Sequence, residues 1–156
     1  MNRKPKNYLE IDLKSIEHNL QKIKAKVGEN VIVAPVIKAN AYGIETNIIK
    51  EAIDKAKIKI VVVATIEEAI KLRKEGYEQE ILTLNELLPY EVENLLKYNI
   101  IAGVSDFEVV KALQEYAKEN KKIAKIHVEV DTGMGRVGRK PEEMLSFVRA
   151  IKKFPN

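Results

Sequence analysis

Hydrophobic positions along this chain change period in a regular order. Leu13, Ile16, Leu20, Ile23 and Val27 recur at three- and four-residue spacing, which lines them along one face of a helix. Asp12 is placed to cap that helix and Gly28 to stop it. Val31 to Ile37 is a short β-branched run that reads as a strand, and Ile48, Ile49, Ala52, Ile53 and Ala56 return to the helical period. A second apolar run, Ile58 to Ala64, predicts the next strand. Thr65 and Glu68 have the spacing of a capping box for a helix reaching Glu75, with Gly76 ending it.

The alternation continues with a strand over Glu80 to Leu84, a helix over Pro89 to Lys97 with proline in its first turn, and a strand over Ile100 to Val104. Ser105 and Glu108 form a second capping-box pattern, opening a helix through Ala117. Ala124 to Val130 is the fifth predicted strand, and Pro141 starts a last helix containing Met144, Leu145, Val148 and Ile151. One helix between each pair of strands predicts parallel strands joined by right-handed crossovers, an α/β fold. The pattern fits a barrel or an open sheet. A complete eight-unit (β/α) barrel of the TIM type takes roughly 200 to 250 residues, so five βα units make an incomplete one. No Pro-, Gly- or Ser-rich linker divides the sequence, and residues 1–156 read as a single partial domain.

Composition narrows the function classes. A chain with 46% hydrophobic and 32% charged residues has the balance of an ordinary globular protein. Its net charge of +4 is spread along helices rather than gathered in a basic block with interleaved aromatics, which argues against nucleic-acid binding. Cysteine is absent and the two histidines, His18 and His127, are far apart, so no metal site is expected. The basic start, Met1 to Lys6, lacks the apolar core of a signal peptide, and no run has the length of a membrane span. A cytoplasmic location is the default expectation.

Candidate chemistry sits at two strand ends. Lys38 follows the first predicted strand and is trailed by Asn40, Tyr42 and Gly43; α/β folds place ligands at that carboxyl end. A lysine taken alone is ordinarily a solvated surface group. Held at the dry mouth of a rigid element, however, a primary amine can attack an aldehyde and form a Schiff base, for which pyridoxal phosphate is the natural partner. On the fifth strand Ile126, Val128 and Val130 alternate with His127, Glu129 and Asp131, which points the polar set toward a barrel interior and Glu129 toward a mouth shared with Arg136. A buried polar network without a ligand is the plainer reading of Glu129, and solvation of a glycine-rich loop that of Arg136. Gly133 to Gly138 spells G-x-G-x-x-G after a strand, but Arg139-Lys140-Pro141 delays the helix, which argues against a dinucleotide site.

Two stretches, Val36-Ile-Lys-Ala-Asn-Ala-Tyr-Gly43 and Val130-Asp-Thr-Gly-Met-Gly-Arg-Val-Gly138, resemble the two signatures of the alanine racemase family, in the right order and at about the expected distance. Weaker similarity runs from Leu9 to Pro155. The resemblance implies the pyridoxal-phosphate-binding N-terminal barrel domain, breaking off near Phe154 where the family enters its sixth strand. It implies Lys38 as the Schiff-base lysine and as the base on the D-alanine face, Tyr42 as a hydrogen-bond donor to the cofactor phosphate, and Arg136 beside the cofactor's phenolic oxygen and the substrate carboxylate. Leu84, closing the third strand, packs beside the cofactor on this reading, although a core leucine is an equal alternative, as is a loop amide for Asn40. Family members often carry a lysine, commonly carbamylated, where this chain has Glu129; a permanent carboxylate there can orient Arg136 in its place. The family motif usually continues with histidine, where this chain has Ile44.

By the same resemblance the expected activity is interconversion of L- and D-alanine, an isomerase step supplying a cell-wall precursor, in a homodimer. The base on the opposite face would be a tyrosine from a C-terminal domain of the partner subunit, so the chain by itself is expected to be weak or inactive. A non-catalytic pyridoxal-phosphate-binding module, an inactive remnant, and a racemase for a related amino acid such as serine are the alternatives.

Overall fold

In a computed structural model that describes residues 7–156, the first helix forms where its sequence signals place it; Met1 to Lys6 lie outside the described residues. Helix α1, Leu13–Val27, is capped by Asp12, whose carboxylate accepts from the Lys14 and Ser15 backbone N–H groups at 2.9 and 3.3 Å. Gly28, at φ 86°, ends it. Only Leu20 of the predicted stripe is fully buried, while Ile23 and Val27 stay largely exposed.

The chain then follows the predicted rhythm with one exception at the start. A single left-handed turn, α2 (Lys38–Tyr42), leads to α3 (Thr46–Lys55), β1 (Ile60–Val63), α4 (Ile66–Lys74) and β2 (Glu80–Thr83). A 3-10 turn at Pro89–Glu91 runs into α5 (Val92–Lys97), and β3 (Ile101–Val104), α6 (Phe107–Glu119), β4 (Ile126–Val128) and α7 (Pro141–Ile151) follow. The exception is Val31 to Ile37, which is not a full strand. It touches β1 through one parallel bridge, Val36 to Val62, with Ile37 N–H donating to the Val62 carbonyl at 2.8 Å and Val62 N–H to the Pro35 carbonyl at 3.0 Å. The next bond of that ladder would need an N–H from Pro35, which proline lacks.

All four strands are parallel and lie in chain order, β1-β2-β3-β4, with the Val36 segment flanking β1. Register sorts the side chains into two faces. Val61, Val63, Ile81, Ala102 and Val104 pack on the helices in one hydrophobic core with Ile53, Leu72, Leu95 and Leu113. Burying each of the large aliphatics contributes about 1.5–3 kcal/mol. Ile60, Val62, Leu82, Ile101 and Gly103 take the opposite, inner face.

One of the two predicted capping boxes differs from the sequence reading. Thr65 and Glu68 form the reciprocal box as predicted, but the second box is replaced by Asp106, whose carboxylate accepts from Glu108 N–H at 2.9 Å. Ser105 instead donates to Glu86 Oε1 at 2.5 Å, a partner distant in sequence. At the opposite end of the strands, the Arg73 guanidinium donates to the carbonyls of Tyr77, Gln79, Tyr98 and Asn99 at 2.7–3.0 Å and ties together the turns that enter β2 and β3.

Candidate functional site at the carboxyl ends of the strands

Every sequence-predicted site residue lies at or just beyond the carboxyl end of a parallel strand or of the bridged first segment. Strand alternation assigns the inner face to Val36, to Leu82 and Leu84, and to His127 and Glu129, while Lys38 follows Ile37, where the backbone leaves the extended conformation at ψ 25°. Leu84 is half-buried and donates its N–H to the Val63 carbonyl at 2.9 Å. His18 and His127 are exposed.

Lys38 is half-buried and opens an unusual piece of backbone. Ala39, Asn40, Ala41 and Tyr42 all have φ between 51° and 55°, a complete left-handed turn made without glycine, closed by Gly43 at φ 89°. Such a turn costs L-residues about 1–2 kcal/mol each and needs outside support. Asn40 provides part of it: its side-chain oxygen accepts from Thr46 N–H at 3.3 Å and from Lys71 Nζ at 2.5 Å. Thr46 is fixed in turn by donating to Glu75 Oε2 at 2.6 Å and by accepting the Tyr77 phenol on its carbonyl at 2.6 Å. Burial first, then the Glu75 and Asp54 carboxylates, push the Tyr77 phenol above its ordinary range, so it remains a donor. The turn leaves Tyr42 65% exposed, while Ile44 packs against the hydrophobic core.

Glu129 occupies a notch on the inner face. A Cβ on Gly103 would overlap its Oε1, lie 2.9 Å from its Cδ and come within 3.0 Å of the Thr83 carbonyl, so β3 needs glycine there for space rather than for backbone freedom. Burial and the Glu86 carboxylate push the Glu129 carboxyl above its ordinary value, while the positive charge of Arg136 pulls the other way. No ion pair within 4 Å joins Glu129 and Arg136 among the described residues; Arg136 is exposed and acts through space.

Asp131 does not join Glu129 on the inner face as the alternation predicts. Its carboxylate accepts from the Gly133 N–H at 2.9 Å and from Gly135 at 3.0 Å, and these bonds hold it below the ordinary carboxylate range. The loop is closed by Arg139 N–H donating to the Glu129 carbonyl and Asp131 N–H to the Arg139 carbonyl, at 3.0 and 2.8 Å. At Gly138, φ 103°, a Cβ would sit 2.8 Å from the Asp131 nitrogen. The amides of the G-x-G-x-x-G stretch thus serve Asp131, and α7 begins only at Pro141, which agrees with rejecting a dinucleotide site.

Sequence reasoning missed two parts of this arrangement. Gly103 has no local signal, because its need arises from Glu129 on the neighbouring strand. Glu68 was legible as a capping residue, but its second oxygen accepts the Ala39 N–H at 2.7 Å, a contact no spacing rule indicates.

Parallel strands in sequential order with helices on one face define part of a (β/α) barrel, and the candidate amine, carboxylate and arginine lie toward the carboxyl ends of its strands. The family profile described as alanine racemase, N-terminal domain, matches residues 11–156. The chain is 35% identical over 149 residues to an alanine racemase of Halothermothrix orenii and 36% identical over 156 residues to one of Clostridium tetani, covering 96% of this chain in each case. Among solved structures it resembles alanine racemase from E. faecalis, with TM-score 0.85, 32% identity and coverage of 92% of this chain and 39% of that one. A histidine racemase from Leuconostoc mesenteroides gives TM-score 0.82 at 26% identity, over 92% of this chain and 38% of that one. The chain therefore belongs to the alanine racemase N-terminal domain family. It spans 39% and 38% of the length of the two curated relatives named here. Among the described residues no helix is long and apolar enough to cross a membrane, and no cluster of three or more metal-ligating side chains is present.

Proposed function

We propose that this chain is the cofactor-holding barrel portion of a pyridoxal-phosphate-dependent alanine racemase, acting in the cytoplasm, with Lys38 as the residue that engages the cofactor. The observation that carries this reading is Lys38 standing at the carboxyl end of the bridged Val36 segment, at the start of a left-handed turn held by tertiary hydrogen bonds. The donor set suits the group: an amine for an aldehyde, a phenol at Tyr42 for phosphate oxygens, and the planar fork of Arg136 for a phenolate or a carboxylate. Leu84 offers an apolar wall on the inner face.

When bound, pyridoxal phosphate supplies an aldehyde that an amine can capture and a ring that draws electrons from a neighbouring Cα–H bond. The chain's own residues then have separate tasks. Lys38 holds the cofactor and, once its amine is free, takes or returns a proton at the alanine Cα on the D-face. Arg136 binds the substrate carboxylate, and Glu129 holds a counter-charge near Arg136 from its notch over Gly103. A second proton-transfer group on the opposite face, contributed by a partner subunit in a homodimer, would complete a racemase.

The test is to add pyridoxal phosphate, reduce with borohydride and locate the label by peptide mass, then follow exchange of the alanine Cα proton with solvent. Preferential label on Lys38, lost in Lys38→Ala, is the expected result; equal labelling of all lysines overturns the reading. Label without proton exchange favours a binding module over a working catalyst.

A further inference from the structure

The geometry points to Glu68 as a positioning residue for Lys38, an inference that rests on the function proposed above. A capping box needs one acceptor oxygen at the third helical position, and glutamine serves there as well as glutamate. Here both oxygens are used. Glu68 Oε2 accepts from Ala64 N–H at 2.8 Å and Thr65 N–H at 3.4 Å, while Glu68 N–H donates to Thr65 Oγ1 at 3.3 Å. Oε1 reaches away from its own helix to accept the N–H of Ala39 at 2.7 Å, the residue that follows Lys38 and the first with positive φ.

One side chain therefore fixes the start of α4, the carboxyl end of β1 and the first bond of the turn that carries the amine. The same face of α4 adds Lys71 on Asn40 and Glu75 on Thr46, so the left-handed turn is gripped at its entry, its middle and its exit. Only a carboxylate accepts at both ends; in an amide one end becomes a donor, which would confront an N–H. Glu68 thus holds the backbone that sets where Lys38 points, and it does so without touching the reacting atoms.

The discriminating pair is Glu68→Gln and Thr65→Ala in the whole 156-residue chain. Thr65→Ala weakens the cap of α4 and leaves the partner of Ala39 in place, whereas Glu68→Gln keeps one acceptor oxygen for the cap and has none left for Ala39. Three quantities are compared: hydrogen exchange of the Ala39 amide, the thermal midpoint, and the rate at which pyridoxal phosphate with borohydride labels Lys38. Glu68→Gln is expected to speed Ala39 exchange and slow Lys38 labelling by about tenfold each, the worth of one strong hydrogen bond, while Thr65→Ala leaves both within about twofold. Ala39 exchange unchanged in Glu68→Gln overturns the inference, and so does equal loss of Lys38 labelling in Thr65→Ala, since that would reduce the effect to helix stability. If Glu68→Gln does not fold, Glu68→Asp, with a carboxylate on an arm too short to span both sites, is read by the same criteria. Failure of the native chain to label Lys38 ahead of its other lysines would count against the proposed function, and Ala39 exchange would still decide for or against the grip of Glu68.

Discussion

Glu129 is held in a place that disfavours its charge, and the consequence is a measurable dependence on pH. Burial first and Glu86 second keep its carboxyl above the ordinary value of 4.5, so the folded chain retains this proton to higher pH than the unfolded chain does. Within that window the folded state binds more protons, and stability falls as pH rises. Glu129→Gln carries no charge and escapes the penalty. Urea titrations across pH about 4 to 7 should show the variant gaining stability relative to the native chain as pH rises; parallel curves would mean that the carboxyl titrates alike in both states. The penalty is intelligible if the charge is wanted beside Arg136, and the absent side chain at Gly103 is the structural means of admitting it.

At the scale of elements, the turns that leave α3, α4, α5 and α6 share one conformation. Lys57, Gly76, Asn99 and Lys121 all have positive φ, and in each case the next residue's N–H bonds back to the last turn of the helix, at 2.8–3.2 Å. Only one of the four positions uses glycine. Lys121→Gly should therefore raise stability by about 0.5–1 kcal/mol, the relief of left-handed strain less the added freedom of the unfolded chain, read as a higher urea midpoint at unchanged slope. These helices and their order were legible in the sequence because period, caps and stops are local signals. Three features were not. The β-branched run Val31 to Ile37 fails as a strand because pairing depends on its neighbour and Pro35 lacks a donor. Ser105 yields its cap to Asp106 because Glu86, far away in sequence, takes its hydroxyl. The turn over Ala39 to Tyr42 contains no glycine to announce it, and its hand is imposed by Glu68, Asn40 and Lys71 through contacts that form only after folding.

For the whole molecule, the sheet has a firmly paired middle and two unequal flanks. Lys38 hangs from a segment joined to β1 by two backbone hydrogen bonds, whereas Arg136 belongs to a loop beyond β4 on the far side. The site was legible as residue types at two strand ends; how loosely its first flank is moored was not, since that depends on the single bridge at Val36. A small molecule grasped from both sides would act as a brace across the open mouth, linking the weakest edge to the opposite margin. Melting temperature should then climb with added pyridoxal phosphate, by the equivalent of about 2.7 kcal/mol at a hundred times its dissociation constant, and Lys38→Ala should flatten the response. An unshifted native melting curve would mean that no such brace forms.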